Sequence, residues 1–101
     1  MSADIAEVLR RVKQARQARV SWREYVNQYG HKAWMSRKDA AGTYDLSSQV
    51  GGDVIVEWEP PVGGGSGTIY QGRFRNVTDA KAHVRAHRKQ ILGARIERLS
   101  R

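Results

Sequence analysis

The sequence has no cysteine, which excludes disulfide bonds and thiolate metal ligands. It also has no apolar run of the length that a membrane-spanning helix needs. A secretory signal is not predicted, because the N-terminal residues include the charged Asp4, Glu7, Arg10 and Arg11. These absences predict a cytoplasmic protein that has no membrane partner.

Length and composition predict one small domain. Hydrophobic residues make up 40% of the 101 positions, which is enough for one modest core but not for a second independent one. The mean hydropathy of −0.67 indicates a large polar surface around that core. We therefore predict one folded domain over residues 1–101.

Acidic residues are few and unevenly placed. The chain has 18 lysines and arginines against 10 acidic residues, a net charge of +8. Residues 68–101 hold nine basic and two acidic side chains, whereas residues 31–67 hold three basic and five acidic ones. A strongly basic segment attracts polyanions by releasing their counterions, so the charge pattern predicts a nucleic-acid partner.

Two helices are predicted in the N-terminal part of the chain. The first covers residues 4–19, because apolar residues recur there at helical spacing, at Ile5, Val8, Leu9 and Val12. Ser21 and Glu24 match a capping box, which predicts that a second helix begins at Ser21. Its apolar residues follow helical spacing as far as Tyr29, and Gly30 then ends it.

A small antiparallel sheet is predicted next. Residues 53–59 alternate clearly and stop at Pro60, and residues 68–75 alternate with Tyr70 and Phe74 on one side and Arg73 and Arg75 on the other. These two strands form a hairpin around a flexible loop, Gly63–Gly67. A weaker alternation predicts a strand over residues 31–37, and a turn is predicted over residues 38–42. Residues 43–50 stay unassigned.

A last helix follows, capped by Asn76 or Thr78 and continuing past Gly93. The predicted fold is therefore α+β: two N-terminal helices, a small antiparallel sheet of two or three strands, and a C-terminal helix packed on the sheet. The last strand and helix together form a basic surface. Its candidate nucleic-acid-binding residues are Arg73, Arg75, Lys81, Arg85, Arg88 and Lys89.

This end of the chain also carries a resemblance. The string Ile69-Tyr70-Gln71-Gly72-Arg73-Phe74, followed by Val77-Thr78-Asp79-Ala80-Lys81, resembles the last strand and helix of AP2-like domains, including the arm-binding domains of phage integrases. The resemblance implies a sheet in the DNA major groove, with Arg73 and Arg75 touching DNA and with strand-to-helix packing by Gly72, Phe74 and Ala80. It favours DNA over RNA and suggests a phage or mobile element as the source.

His83 and His87 are four residues apart in the last helix and would share one side of it. They could face one metal ion with His31 as a distant third ligand. However, no glutamate lies between them, no cysteine is available, and Lys81, Arg85 and Arg88 would repel a cation, so we expect no metal and no cofactor. Imidazoles beside arginines also suit RNA cleavage, which makes a small endoribonuclease the second alternative. No motif combines nucleophile, base and stabiliser, so we do not expect an enzyme.

Trp22, Tyr25 and Tyr29 have two interpretations. Aromatic side chains at helical spacing are typical of a core, but they also suit a stacking platform for single-stranded bases. An exposed Trp22 or Trp34 would instead favour the first alternative function, a protein-binding inhibitor or adaptor. The oligomeric state and the pathway do not follow from the sequence.

Overall fold

A computed structural model describes residues 3–61 and 67–101 of the chain. Within these ranges the chain forms two helices and five strands. The elements are α1 (Ala3–Gln17), β1 (Trp22–Val26), β2 (Lys32–Ser36), β3 (Thr43–Ser48), β4 (Val54–Glu59), β5 (Ile69–Phe74) and α2 (Val77–Leu99). Neither helix combines the length and the apolar composition of a membrane span.

The five strands form one antiparallel sheet in the order of the chain, β1-β2-β3-β4-β5. Every strand pairs with the next one, so the sheet is a simple meander. The α+β class is confirmed. The prediction of two N-terminal helices and a sheet of two or three strands is wrong, because the described chain has one N-terminal helix and two more strands than the upper estimate.

The predicted second helix is instead β1 and the turn that follows it. Residues 22–26 pair with residues 32–36, and the Asn27 side-chain oxygen accepts the backbone N–H groups of Tyr29 and His31, both at 3.0 Å. Gly30 closes the turn with a φ of 79°. Tryptophan, tyrosine and valine favour strands, and pairing with β2 outweighs the local capping signature.

The unassigned residues 43–50 contain β3, the middle strand of the sheet. Tyr44 and Leu46 on this strand are completely buried. The turn before β3 needs Gly42, which has a φ of 96° and lies against the backbone carbonyl of Glu59. A larger residue would overlap that carbonyl.

The hairpin of β4 and β5 is confirmed, but one of its side-chain assignments is wrong. The register shifts opposite Val56 and Glu57, so that Gly72 pairs with Val56 while Tyr70 pairs with Glu57. This bulge moves Tyr70 to the opposite face from Phe74. Of the predicted Gly63–Gly67 loop, residues 63–66 lie outside the described residues.

Helix α2 begins where the sequence predicts, with the Asn76 side-chain oxygen accepting the N–H of Asp79 at 2.8 Å. Its first half packs across one face of β3, β4 and β5. The larger core lies between them and consists of Tyr44, Leu46, Val54, Val56, Ala80 and Val84, with Trp22, Trp34, Trp58, Phe74 and Val77 packed at its edge. In the described chain, no element covers the opposite face of the sheet.

Helix α1 is confirmed and packs on the C-terminal half of α2. A smaller core joins the two helices to the turn before β3, and its buried residues are Val12, Ala15, Ala41 and Leu92. The second half of α2 therefore extends beyond the sheet, and α1 gives it the apolar partner that it needs. This arrangement places the C-terminal end of α1 beside the basic side of α2.

Candidate nucleic-acid interface

Arg88, one of the predicted contact residues, is part of the interior. It is 4% exposed and continues the buried row of α2 at intervals of four residues, between Val84 and Leu92. Its Nη1 and Nη2 donate to the two carboxylate oxygens of Asp39 at 2.9 and 2.8 Å, and Nη2 also donates to the Ala15 carbonyl at 3.0 Å. The guanidinium is therefore committed to the fold and is not accessible to a phosphate.

In the described chain, Arg73 and Arg75 line no cleft together with the basic residues of α2. Arg73 pairs with Ile55 on the uncovered face of the sheet and is 3.2 Å from the Asp53 carboxylate. Arg75, just after β5, is 3.3 Å from Asp79. Both arginines are exposed, but each has a carboxylate partner. Neither arginine is among the residues that line a cleft with Lys81.

The uncovered face of the sheet is itself partly acidic. Asp45, Glu57 and Glu59 all project from this face, as their cross-strand register shows. Burial raises the pKa of Asp45, and a hydrogen bond from Tyr25 opposes that rise. Because carboxylates repel phosphates, this face does not suit the major-groove contact that the AP2-like resemblance implies.

The remaining predicted contact residues, all on α2, line a cleft of about 480 Å³ between the two helices and β1. Lys81, Arg85 and Lys89 are spaced four residues apart and therefore share one side of α2. Arg16 and Arg19 at the end of α1 lie opposite. We call this feature the cationic cleft; its charged and aromatic lining residues, apart from the buried Arg88, are Arg16, Arg19, Trp22, Lys81, Arg85 and Lys89.

The cationic cleft has no internal charge compensation. No aspartate or glutamate is among the described residues that line it. The ion pairs found in residues 3–61 and 67–101 involve none of its five accessible cations. Grouped like charges repel one another, so a bound anion would relieve an unfavourable interaction that the free protein contains.

Two local features place the ends of these side chains. The Lys81 ammonium lies 5.5 Å from the centre of the Trp22 ring, a cation–π contact across the floor of the cleft. The Arg16 guanidinium lies beside Gly93 of α2, where a Cβ atom would be 3.7 Å from its Cζ and Nη2. The cleft is thus bounded by positively charged groups on both helices.

A second cleft of about 630 Å³ adjoins the first on the other side of residues 18–20. Arg19 lines both clefts. The other cations of the second cleft are Arg11, Arg37, Lys38 and Arg95. Its single acidic lining residue in the described chain is Asp39, which is already paired with Arg88. Positive charge therefore continues from one cleft to the other.

His83 and His87 face the sheet and not the cationic cleft. The Tyr44 hydroxyl lies 2.5 Å from Nδ1 of His87, and His83 Nε2 lies 3.3 Å from the Gln71 side-chain oxygen. The His87 ring also packs on Trp58, with centroids 4.7 Å apart. Burial, and to a lesser degree the charge of His83, lowers the pKa of His87. No group of three ligands suited to a metal occurs in the described residues.

The three aromatic residues that were considered as a stacking platform are separated. Trp22 faces α2 and lines the cationic cleft, whereas the Tyr25 hydroxyl donates to Asp45 at 2.8 Å on the uncovered face. Burial, together with that carboxylate, raises the pKa of Tyr25 to about 12. Tyr29 lies in the β1–β2 turn and is 74% exposed. Of the three, only Trp22 lies next to the basic side chains of the cationic cleft.

Sequence reasoning missed Arg16 and Arg19 as parts of a site, and it grouped Trp22 with Tyr25 and Tyr29 instead of with the cations of α2. No local pattern indicates that the end of α1 meets the middle of α2, since their contact is a tertiary one. The burial of Arg88 had a signal, because the residue falls in the row of Ala80, Val84 and Leu92.

Comparison with protein-family models, curated proteins and solved structures gives no match to this chain. The AP2-like resemblance of the last strand and helix therefore stays a prediction. A proposal for function depends on the geometry of the cationic cleft.

Proposed function

We propose that the protein binds nucleic acid, without catalysis, through the cationic cleft. One observation carries the proposal: five accessible cations from two helices and the segment after α1 surround one recess whose described lining has no carboxylate. Surface charges that serve only solubility are usually interspersed with charges of the opposite sign. Here the compensation occurs elsewhere on the molecule, at Asp45, Glu57 and Glu59 on the uncovered sheet face.

Phosphate groups fit this recess better than an isolated carboxylate ligand does. A polyanion that occupies several cations releases its condensed counterions, and this entropy gain grows with each phosphate that is neutralised. Asp45, Glu57 and Glu59 lie on the sheet face away from the cleft, so the field of the protein would orient an approaching strand toward the cleft. DNA is the first ligand to test. We propose that the binding occurs in the cytoplasm.

The proposed contact set differs from the one that the sequence predicts. Lys81, Arg85 and Lys89 stay in it, and Arg16 and Arg19 join them. Arg88 leaves the set because its guanidinium is buried against Asp39. Arg73 and Arg75 leave it because they lie outside the cleft and have carboxylate partners.

The alternative functions gain no specific support. A protein-binding role would be favoured by an exposed Trp22 or Trp34, but both are only half-exposed, since each also packs against the larger core. RNA cleavage would need an accessible acid and base, whereas His87 is engaged by Tyr44. Nucleic-acid binding by the cationic cleft requires neither a fully exposed tryptophan nor an accessible acid and base.

A pair of triple variants tests the proposal. The cleft variant carries Lys81→Gln, Arg85→Gln and Lys89→Gln, and the control variant carries Arg73→Gln, Arg75→Gln and Arg98→Gln. Both remove three positive charges from exposed or half-exposed positions, so they have the same net charge. Thermal unfolding would establish that both remain folded.

Affinity for fluorescein-labelled DNA would be measured by fluorescence anisotropy at about 50 mM salt, where phosphate contacts contribute strongly. The cleft variant should bind at least about tenfold more weakly than the native protein, because three phosphate contacts are lost. The control variant should stay within about threefold of the native protein. Equal losses in the two variants would show that only overall charge matters and would overturn the proposal.

A further inference from the structure

We infer that the ligand of the cationic cleft is a single strand of nucleic acid, with one base stacked on Trp22 and the neighbouring phosphates on the cations around it. This inference rests on the proposed function and names the form of nucleic acid that the same site takes. Three features carry it: the shape of the cleft, the alanines beside the cations of α2, and the position of Trp22.

The five cations surround a concave part of the surface, and four of them have exposed side chains while Lys81 is half-buried. The concavity has a volume of about 480 Å³ and lies between α1, α2 and β1. A duplex presents its phosphates on a broad cylinder that cannot enter such a recess. A single strand can fold its backbone and one base into it, so the shape selects the single strand.

Two exposed positions beside the cations of α2 lack side chains that suit a base-pair edge. Residues 82 and 86 form an exposed row on α2 next to Lys81 and Arg85, and both are alanines. Helices that read a duplex place hydrogen-bonding side chains in a major groove about 12 Å wide. The uncovered sheet face carries Asp45 and Glu57, which repel phosphates.

Trp22 supplies the apolar surface that a base needs. Its ring lines the cleft and has the Lys81 ammonium 5.5 Å from its centre. A cation–π contact at such a position contributes about two- to fivefold to an equilibrium constant. Stacking of a base on an aromatic ring contributes about five- to 150-fold. A base can therefore displace Lys81 from the ring, and the ammonium then becomes free for a phosphate.

The second cleft extends the path of the strand. Arg19 lines both clefts, and Arg37 and Lys38 line the second one. Both residues are exposed and form no ion pair with another described residue. A strand that leaves the cationic cleft past Arg19 would thus continue to meet positive charge. This continuity suits an extended chain of phosphates better than a mononucleotide.

The test compares oligo-dT of about 15 nucleotides, a length within the range of known single-strand sites, with a duplex of equal length and mixed sequence. Anisotropy gives the affinities, and tryptophan fluorescence reports stacking. The native protein should bind the single strand at least about tenfold more tightly than the duplex, with quenching of its fluorescence on binding.

Two substitutions at Trp22 separate stacking from packing, because the ring also contacts the larger core. Trp22→Leu keeps an apolar group but removes the π face, and it should lower single-strand affinity by about tenfold while duplex affinity stays within twofold. Trp22→Tyr keeps an aromatic face and should restore most of the affinity. Tyr70→Leu is the matched control, since Tyr70 is 61% exposed on the uncovered sheet face.

The outcomes distinguish the two proposals. A single-strand preference that depends on Trp22 and not on Tyr70 supports the inference. Equal binding of single strand and duplex, or full affinity in Trp22→Leu, overturns the inference while the proposed function stands. Absence of binding to either nucleic acid at low salt overturns both.

Discussion

The Arg88 guanidinium donates two hydrogen bonds to the Asp39 carboxylate, of 2.9 and 2.8 Å, one to each oxygen. Asp39 also accepts the Ala41 N–H at 2.9 Å, while Arg88 reaches the Ala15 carbonyl at 3.0 Å. This pair therefore joins α2, α1 and the turn before β3. Arg88 therefore has a structural role, whereas the neighbouring cations of α2 line the cationic cleft.

Removing Arg88 should destabilise the fold strongly. Arg88→Met leaves Asp39 and the Ala15 carbonyl without their donors, and the loss of one member of a buried pair costs about 3 kcal/mol or more of unfolding free energy. The estimate is at the low end of the usual range because the Asp39 side chain is 33% exposed. Urea denaturation measures the change.

The control for this prediction is Arg85→Met, on an exposed position of the same helix. Its unfolding free energy should stay within about 0.5 kcal/mol of the native value. If Arg88→Met and Arg85→Met had equal stability, the buried pair would contribute nothing and its structural role would be refuted.

Stability should fall at mildly acidic pH because of His87. Burial lowers the pKa of His87 below its ordinary value of 6.5 in the folded protein, so the unfolded chain takes up a proton first as the pH decreases. The free energy of unfolding should therefore decrease as the pH is lowered through about 6.5, and level off once folded His87 is protonated as well.

His87→Gln should reduce this slope between pH 7 and the plateau, whereas His31→Gln, in the β1–β2 turn, should keep it. Burial also raises the pKa of Tyr44, so its hydroxyl stays protonated beside Nδ1 of His87. An unchanged slope in His87→Gln would show that another group causes the pH dependence.

Gly42→Ala should be poorly tolerated. The residue has a φ of 96°, and an added Cβ would overlap the Glu59 carbonyl and lie 2.9 Å from Trp58 Nε1. We expect a loss of more than about 2 kcal/mol in unfolding free energy. Gly51→Ala, with a φ of 100° but open space around it, should cost only about 1 kcal/mol. Equal losses would contradict the close packing at Gly42.

Gly93→Ala should stabilise the protein by about 0.5 to 1 kcal/mol, because alanine is the better helix former in the interior of α2. The new Cβ would meet Arg16 at an ordinary contact distance of 3.7 Å. Thermal unfolding would show the gain as a raised Tm. A lowered Tm would mean that Arg16 packs more tightly on α2 than the structure indicates.

Periodicity in the sequence predicts those helices and strands whose apolar residues recur at a regular spacing. Helix α1, strand β4 and helix α2 follow clear spacings of apolar residues, and the Asn76 cap of α2 is a local signal. β1 and β3 do not show such patterns. The Ser21 and Glu24 capping signature hides β1, and the Ser47-Ser48 pair with the nearby Gly51-Gly52 pair obscures β3. Pairing with neighbouring strands therefore determines that both segments are strands.

The candidate site could be predicted only in part for the same reason. Lys81, Arg85 and Lys89 share one side of a helix by spacing alone. Their proximity to Arg16 and Arg19 depends on how α1 packs against α2, which no local pattern encodes. The bulge at Gln71 likewise changes which side chains of β5 share a face, and a single extra residue has no periodic signature.

The salt dependence of single-strand DNA affinity tests the central claim most directly. If all five accessible cations of the cleft neutralise phosphates, the logarithm of the association constant should fall with the logarithm of salt concentration with a slope of about −3.5. The cleft variant, which lacks three of these charges, should have a slope shallower by about 2, and the control variant should keep the native slope. Equal slopes in the native protein and the cleft variant would contradict the account.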